Sequence, residues 1–331
     1  MDEKNYNNDI PPYVTGTNVR IDVSIYLLSV NNIELPSTFD VKFLIELSWK
    51  DYRLTYQDLN DVNILNDELK SSIWIPPLVF SNTANNEILQ NDEETIISIA
   101  KEAEPKFNER HILHEAAIFY GDENTIHYSR EYQKNIICNY DLHMYPFDEQ
   151  MCTIDIEIPT LLQPYIDLFS NKTGNRGLTK LEQFTITKTE IGVTKNNSLI
   201  QCEISMKRIP WYHIATTYLP ILCILFMALI TLFIDQSHFD AIVMVSLTCM
   251  LVIYTLFQSI SATMPSTAYL KLLDYWLIFG MIMPFVVFTV QVSWELLDEH
   301  YKMKSTASQE TVTRFLIKGQ SIVDASRKKG L

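Results

Sequence analysis

At 331 residues the chain exceeds the usual size of one soluble domain, and an acidic, polar first half against an apolar second half divides it between two solvents. A formal charge of −14, from 26 Lys and Arg against 40 Asp and Glu, excludes nucleic acid as a partner, since nothing forms a basic stripe, and favours cations near the surface. Five cysteines, with no CxxC or Cys/His spacing, exclude a disulfide-rich scaffold and structural zinc while leaving room for one bridge.

The first residues, MDEKNYNNDI, lack the apolar core of a signal peptide, so an extracellular first domain implies a leader removed or replaced by the start codon. From Val19 to Arg208 apolar residues recur at every second position, as in Val19-Arg20-Ile21-Asp22-Val23 and Thr153-Ile154-Asp155-Ile156-Glu157-Ile158. With turn residues between such runs, this predicts an antiparallel all-β sandwich over residues 1–208. Residues 60–69 read as a short helix or loop. His111, His114 and Glu115 are not expected to bind metal: on a strand, residues three apart face opposite ways, and HILHE is not the HExxH helix. The sequons at Asn171 and Asn196 are glycosylation acceptors if this domain lies outside.

At Pro210 the pattern changes. Residues 211–234, 241–263 and 275–294 are apolar and uncharged, and about twenty residues rising ~1.5 Å each cross a bilayer core of roughly 30 Å. Three antiparallel membrane spans are therefore predicted within 209–297, joined by short connections. Lys302, Lys304, Arg314, Lys318 and the basic run 327–329 follow the third span; positive charge stays inside, which puts 298–331 in the cytoplasm and the β domain outside the plasma membrane. Val312, Phe315, Leu316, Ile322 and Val323 fall at helical spacing, for a helix either solvated or lying on the inner membrane surface.

Cys138 and Cys152 bracket the run NYDLHMYPFDEQM just ahead of the first span. A bare pair is as readily a plain structural staple. Tyr145-Pro146-Phe147-Asp148, with Gln150 before the second cysteine, resembles the signature loop of the Cys-loop receptors, the pentameric ligand-gated ion channels. Trp49-Lys50-Asp51-Tyr52-Arg53-Leu54 is similar to that family's WxDxRL strand end, Trp74-Ile75-Pro76 to the start of its WxPD motif, and Arg208-Ile209-Pro210 with Pro220 to the approach to its first helix. Pro265 stands where the family closes its second span. The resemblance implies a Cys138–Cys152 disulfide, an extracellular sandwich of about ten strands and an all-α transmembrane bundle. It further implies four more subunits and membrane lipid as partners, a small extracellular ligand, and no cofactor. It also implies four helices where three are legible; the fourth belongs either beyond an excised segment or past an early end of the chain.

In the second span Met244, Thr248, Leu251, Thr255, Gln258 or Ser259, and Ala262 share one helical face, less apolar than the other. Ser and Thr in membrane helices also serve helix packing, but in the family pattern these positions line the pore. Leu251 falls at the family's leucine girdle, a gate that closes by dewetting. Asp240, beside Ala241 at the inner mouth, would form a carboxylate ring selecting monovalent cations. The commonest cation-channel pattern has its glutamate one position later, at Ala241, and the Pro-Ala insertion of anion-selective relatives does not occur here. An acidic residue at a helix start is equally a cap; Asp235 is a second candidate for the ring, and His238 a candidate pH sensor. The rivals are an anion-selective or a non-conducting subunit.

The resemblance assigns coupling between domains to Glu34, Tyr145, Pro146, Phe147, Asp148, Arg208 and Pro265, with solvated edge charges as the bland alternative. The family's agonist site, between subunits, is an aromatic cage suited to amines. Here its positions hold Ser81, Pro159 or Thr160, and a capping hairpin from Ile191 through Val193 to Ser198 without aromatics. What remains is Leu44 and Glu46 on the facing strand and Tyr128, Arg130 and Tyr132 on another. Arg130 suits a carboxylate or a surface ion pair. An enzyme is not expected: there is no Gly-rich phosphate loop, nucleophile elbow or paired carboxylates.

Overall fold

The computed structural model describes residues 6–34, 37–84, 95–107, 117–193, 197–234, 238–264 and 266–328. Two units divide the chain, a mainly β unit over Met1–Ile209 and Pro265–Thr267 and a helical unit over Pro210–Met264 and Ala268–Leu331. His111, His114, Glu115, Asn196, Asp235 and Pro265, and the side chain of Glu34, lie outside the described residues.

The β unit contains, among the described residues, thirteen strands: β1 (Val19–Glu34), β2 (Thr38–Trp49), β3 (Thr55–Gln57), β4 (Val62–Ile64), β5 (Val79–Phe80), β6 (Ile96–Ala100), β7 (Lys106–Phe107), β8 (Ala117–Tyr120), β9 (Ile126–Ile137), β10 (Glu149–Glu157), β11 (Ile166–Asn175), β12 (Phe184–Val193) and β13 (Leu199–Arg208). They form sheets ordered β11-β1-β2-β9-β6-β4, β12-β13-β10-β5 and β3-β8-β7. Alternation creates the core directly. Phe39, Val41, Phe43, Ile45, Leu47 and Trp49 are all buried along β2, as are Cys152, Ile154 and Ile156 of β10 and Cys202, Ile204 and Met206 of β13, and Phe43 meets Phe80 of the four-stranded sheet edge to face at 5.8 Å. Each such side chain contributes about 1.5–3 kcal/mol by leaving water.

Two features differ from the antiparallel sandwich of about ten strands that the sequence predicts. The surplus consists of β3, β4, β5 and β7, strands of two or three residues, too short to show alternation. The pairing of β1 with β11 is parallel. β10 belongs to the four-stranded sheet, and the chain crosses to the six-stranded one through residues 158–165, arriving beside β1 in the same direction.

The WxDxRL segment is a clamp. The fully buried Asp51 carboxylate accepts from Arg53 Nε (2.9 Å), Arg53 Nη2 (2.8 Å) and the Tyr6 hydroxyl (2.9 Å). Arg53 Nη1 in turn donates to the carbonyls of Asn7 and Ile10, tying the N-terminal segment to the corner. Gly121 is required here, because a Cβ would stand 2.1 Å from the Asp51 carbonyl oxygen. Trp49 and Trp74 meet edge to face at 6.0 Å beneath it. The segment 60–69, read as helix or loop, instead holds the strand β4 and only the start of α1 (Asp67–Ser72), which is capped by the Asn66 side chain accepting from Leu69 N–H at 3.0 Å.

Among the described residues three helices are long and apolar enough to cross a membrane. The first, Trp211–Phe233, contains a π-helical turn at Ile214–Tyr218, where Leu219 N–H bonds the Ile214 carbonyl. Pro220 lacks the N–H that would continue the regular ladder, and the turn re-phases it. The second helix runs Phe239–Thr263. The third helix begins at Leu272 and continues to Lys328, so no break separates 275–294 from the tail. Apolarity ends near Trp294, but from there to Phe315 the chain has no Gly or Pro, and Asp298 pairs with Lys302 one turn on at 2.6 Å. The tail is the same helix rather than a separate amphipathic segment.

Candidate functional site

The loop between β9 and β10 is closed by a disulfide between Cys138 and Cys152. Such a crosslink over about fifteen residues removes roughly 3 kcal/mol of unfolded-state entropy. Inside it, Asp148 pairs with Arg208 from the end of β13: Arg208 Nε to Oδ1 at 2.6 Å and Nη2 to Oδ2 at 3.0 Å, both side chains 1% exposed. Gln150 fastens this pair to the loop, donating to Asp148 Oδ2 at 2.5 Å and to the Asp141 carbonyl at 2.7 Å while accepting from Asp141 N–H at 3.0 Å. The guanidinium lies over the rings of Tyr145 (4.6 Å) and Phe184 (4.3 Å). The Tyr145–Pro146 peptide is cis. Tyr145, Pro146, Asp148 and Arg208 are thus one buried cluster, which removes the reading of Asp148 and Arg208 as solvated edge charges; Phe147 stands exposed beside it. Phe184 was not legible as a member, since an aromatic on a strand reads as core.

In the second helix the buried residues are Ile242, Ser246, Cys249 and Ile253, which pack toward the other two helices. At about 100° per residue, Asp240, Met244, Thr248, Leu251, Thr255, Gln258 and Ala262 lie about half a turn away, flanked by Ala241 and Ser259. All nine are exposed in the single chain, Met244 at 67% and Leu251 at 63%. The Thr248 hydroxyl donates to the Met244 carbonyl (2.7 Å) and Thr255 to that of Val252 (2.8 Å), so their oxygen lone pairs remain to face outward. Asp240 is in the first turn, with His238 at the N-cap position, so its carboxylate is not the cap.

The expected ligand residues separate. Phe43, Ile45 and Leu47 stand opposite Tyr132, Arg130 and Tyr128, whereas Leu44 and Glu46 stand opposite Glu131 and Ser129 on the other face. Tyr132 stacks on Phe43 and its hydroxyl lies 3.1 Å from that of Tyr128; burial pushes its phenol far above the usual range. Tyr128 is buried and Tyr132 half-buried, both on the face of β9 that carries Phe43 and Leu47 on β2. Period-two spacing gives the shared face of 128, 130 and 132 but not which face turns inward. Tyr128 and Arg130 do line a cavity of about 480 Å3 with Asp67, Lys70, Ser71, Ile75, Thr95 and Ile97. Glu46 pairs with Arg176 at 3.5 Å. Ser81 follows β5, Pro159 and Thr160 follow β10, and Ile191 and Val193 lie on β12, all in or leaving the four-stranded sheet and so apart from Leu44 and Glu46. Asn171 is exposed on β11.

A family model described as the neurotransmitter-gated ion-channel ligand binding domain matches residues 2–212. The chain belongs to that family, the Cys-loop receptors. Among relatives of this Cys-loop receptor chain, a gamma-aminobutyric acid receptor subunit beta-like of Drosophila melanogaster is 22% identical over 301 residues, 85% of this chain and 57% of the relative. Gamma-aminobutyric acid receptor subunit beta-4 of Gallus gallus is 26% identical over 285 residues, covering 83% and 54%. Subunit rho-1 of Homo sapiens is 22% identical over 289 residues, covering 83% and 56%. The chain thus spans little more than half the length of these relatives. As a Cys-loop receptor chain it is a multi-pass plasma-membrane protein with its N-terminal domain extracellular.

Proposed function

We propose that the chain is one subunit of a pentameric ion channel, opened by a small extracellular ligand and selective for monovalent cations. The observation that supports this most is the exposed face of the second helix. A membrane helix that turns a carboxylate and three hydroxyl or amide groups away from its own bundle would pay heavily against lipid. Five copies around a water-filled axis relieve that conflict, with Asp240 forming a ring at one end and Leu251 a constriction about 16 Å along at 1.5 Å per residue. Phe147 and the buried Asp148–Arg208 cluster, with Glu34 and Pro265, take the coupling role, and an exposed Asn171 is the glycosylation acceptor.

The relatives are named for the ligand they receive and not for the ion they pass, so selectivity rests on Asp240. Asp240→Asn is expected to lower cation over anion permeability, read as a shifted reversal potential when external sodium chloride is diluted; an unmoved reversal potential would remove the assignment. Gamma-aminobutyric acid carries an amine and a carboxyl group. This chain lacks aromatics at Ser81, Pro159 and Ile191 to hold an ammonium group, whereas Arg130 lines a cavity where it suits a carboxylate, beside a Lys70 that pairs with Asp67 at 2.9 Å. A small carboxylate is the ligand class this favours.

A further inference from the structure

One glutamine joins all three spans at a single level. Gln291 of the third helix is 8% exposed, Ser246 of the second 1% and Thr231 of the first 3%. The Ser246 hydroxyl donates to Gln291 Oε1 at 2.9 Å, Gln291 Nε2 donates to Thr231 Oγ1, and the Thr231 hydroxyl donates to the Ala228 carbonyl. Every donor in this chain has one acceptor, and all point the same way, the arrangement in which hydrogen bonds reinforce one another. The surroundings are apolar: Ile242, Cys249 and Ile253 flank Ser246 on the packed face.

Ser246 sits about half a turn from Thr248, Leu251 and Thr255. Rotating the second helix by even one residue, about 100°, would carry Ser246 off Gln291 and leave the buried Gln291 Oε1 without its donor. We infer that Gln291 is a positioning residue: through Ser246 and Thr231 it fixes the rotation of the second helix, and with it which stripe faces the pore. The inference rests on the pore reading above for its consequence, but its geometry is that of the helical unit alone.

The test needs no ligand and no current. In the full chain carrying Cys223→Ser and Cys249→Ala, two reporters are compared, Thr255→Cys on the exposed stripe and Ile253→Cys on the packed face. A charged, water-soluble methanethiosulfonate is applied to surface protein and modification is read by mass. Cys138 and Cys152 are bridged, and Cys202 is buried where its thiol is pushed up to about 12, so neither contributes. The parent should modify Thr255→Cys much faster than Ile253→Cys. Gln291→Leu should shrink that rate ratio by about fivefold or more, the scale of one or two intramembrane hydrogen bonds, and Ser246→Ala should shrink it less. Ser246→Thr, which keeps the hydroxyl, should preserve it.

An unchanged ratio in Gln291→Leu protein assembled at the surface overturns the inference. If that variant does not reach the surface, an unchanged ratio in Ser246→Ala does so. Equal modification of the two reporters in the parent would instead sink the pore assignment, and the inference with it.

Discussion

Asp148→Ala is expected to cost about 3–5 kcal/mol, because it leaves the guanidinium of Arg208 buried without its counter-charge. Against a typical domain stability of about 5–15 kcal/mol, that is enough to remove most folded protein from the membrane. The pair is fully enclosed, so solvent does not screen the loss. Asp148→Asn keeps a hydrogen-bond acceptor and should cost less. Removing both charges in Asp148→Ala with Arg208→Met should recover part of the loss, since the double variant no longer strands a cation. Thermal unfolding of the detergent-solubilised chain, followed by β-sheet circular dichroism beside surface abundance, reads all three. An Asp148→Ala midpoint equal to that of the parent would mean that the pair is not the keystone of the loop.

Leu251→Ser is expected to produce standing current without ligand. A ring of leucines closes by excluding water, and a ring of serines does not. If each exchange favours the wetted state by only about 1 kcal/mol, five subunits together shift the closed–open equilibrium by between three and four orders of magnitude. The substitution sits on the exposed face, away from Ile242, Ser246, Cys249 and Ile253, so assembly should be unaffected. Holding current in whole-cell recordings at matched surface protein checks this. Leak at the parent level would place the gate elsewhere.

What the residues announced, and what they hid, follows from which interaction decides each feature. β2 was legible because one face is wholly buried, and burial of Phe39 through Trp49 imprints alternation on the chain. β5 and β7 were not, because two residues joined to a sheet edge are defined by backbone pairing, which any side chain permits. The third helix was legible as a span but not as a helix: apolarity marks where the membrane ends, whereas the hydrogen-bond ladder continues until something breaks it. The stripe on the second helix was readable because packing against the other helices sorts its side chains by face. Gln291 left no such trace. A single amide in an apolar run looks the same whether it meets lipid, a pore or two hydroxyls, and only the crossing of three helices shows which.

The most direct test of the channel reading uses the full chain with Leu251→Ser, expressed alone, so that no ligand has to be known. Reversal potential is measured while external sodium is replaced by a large organic cation, and then while chloride is replaced by a large organic anion. The account predicts a reversal potential that follows sodium and ignores chloride. A reversal potential that follows chloride would contradict the cation selectivity, and silence from pentamers present at the surface would contradict the channel itself.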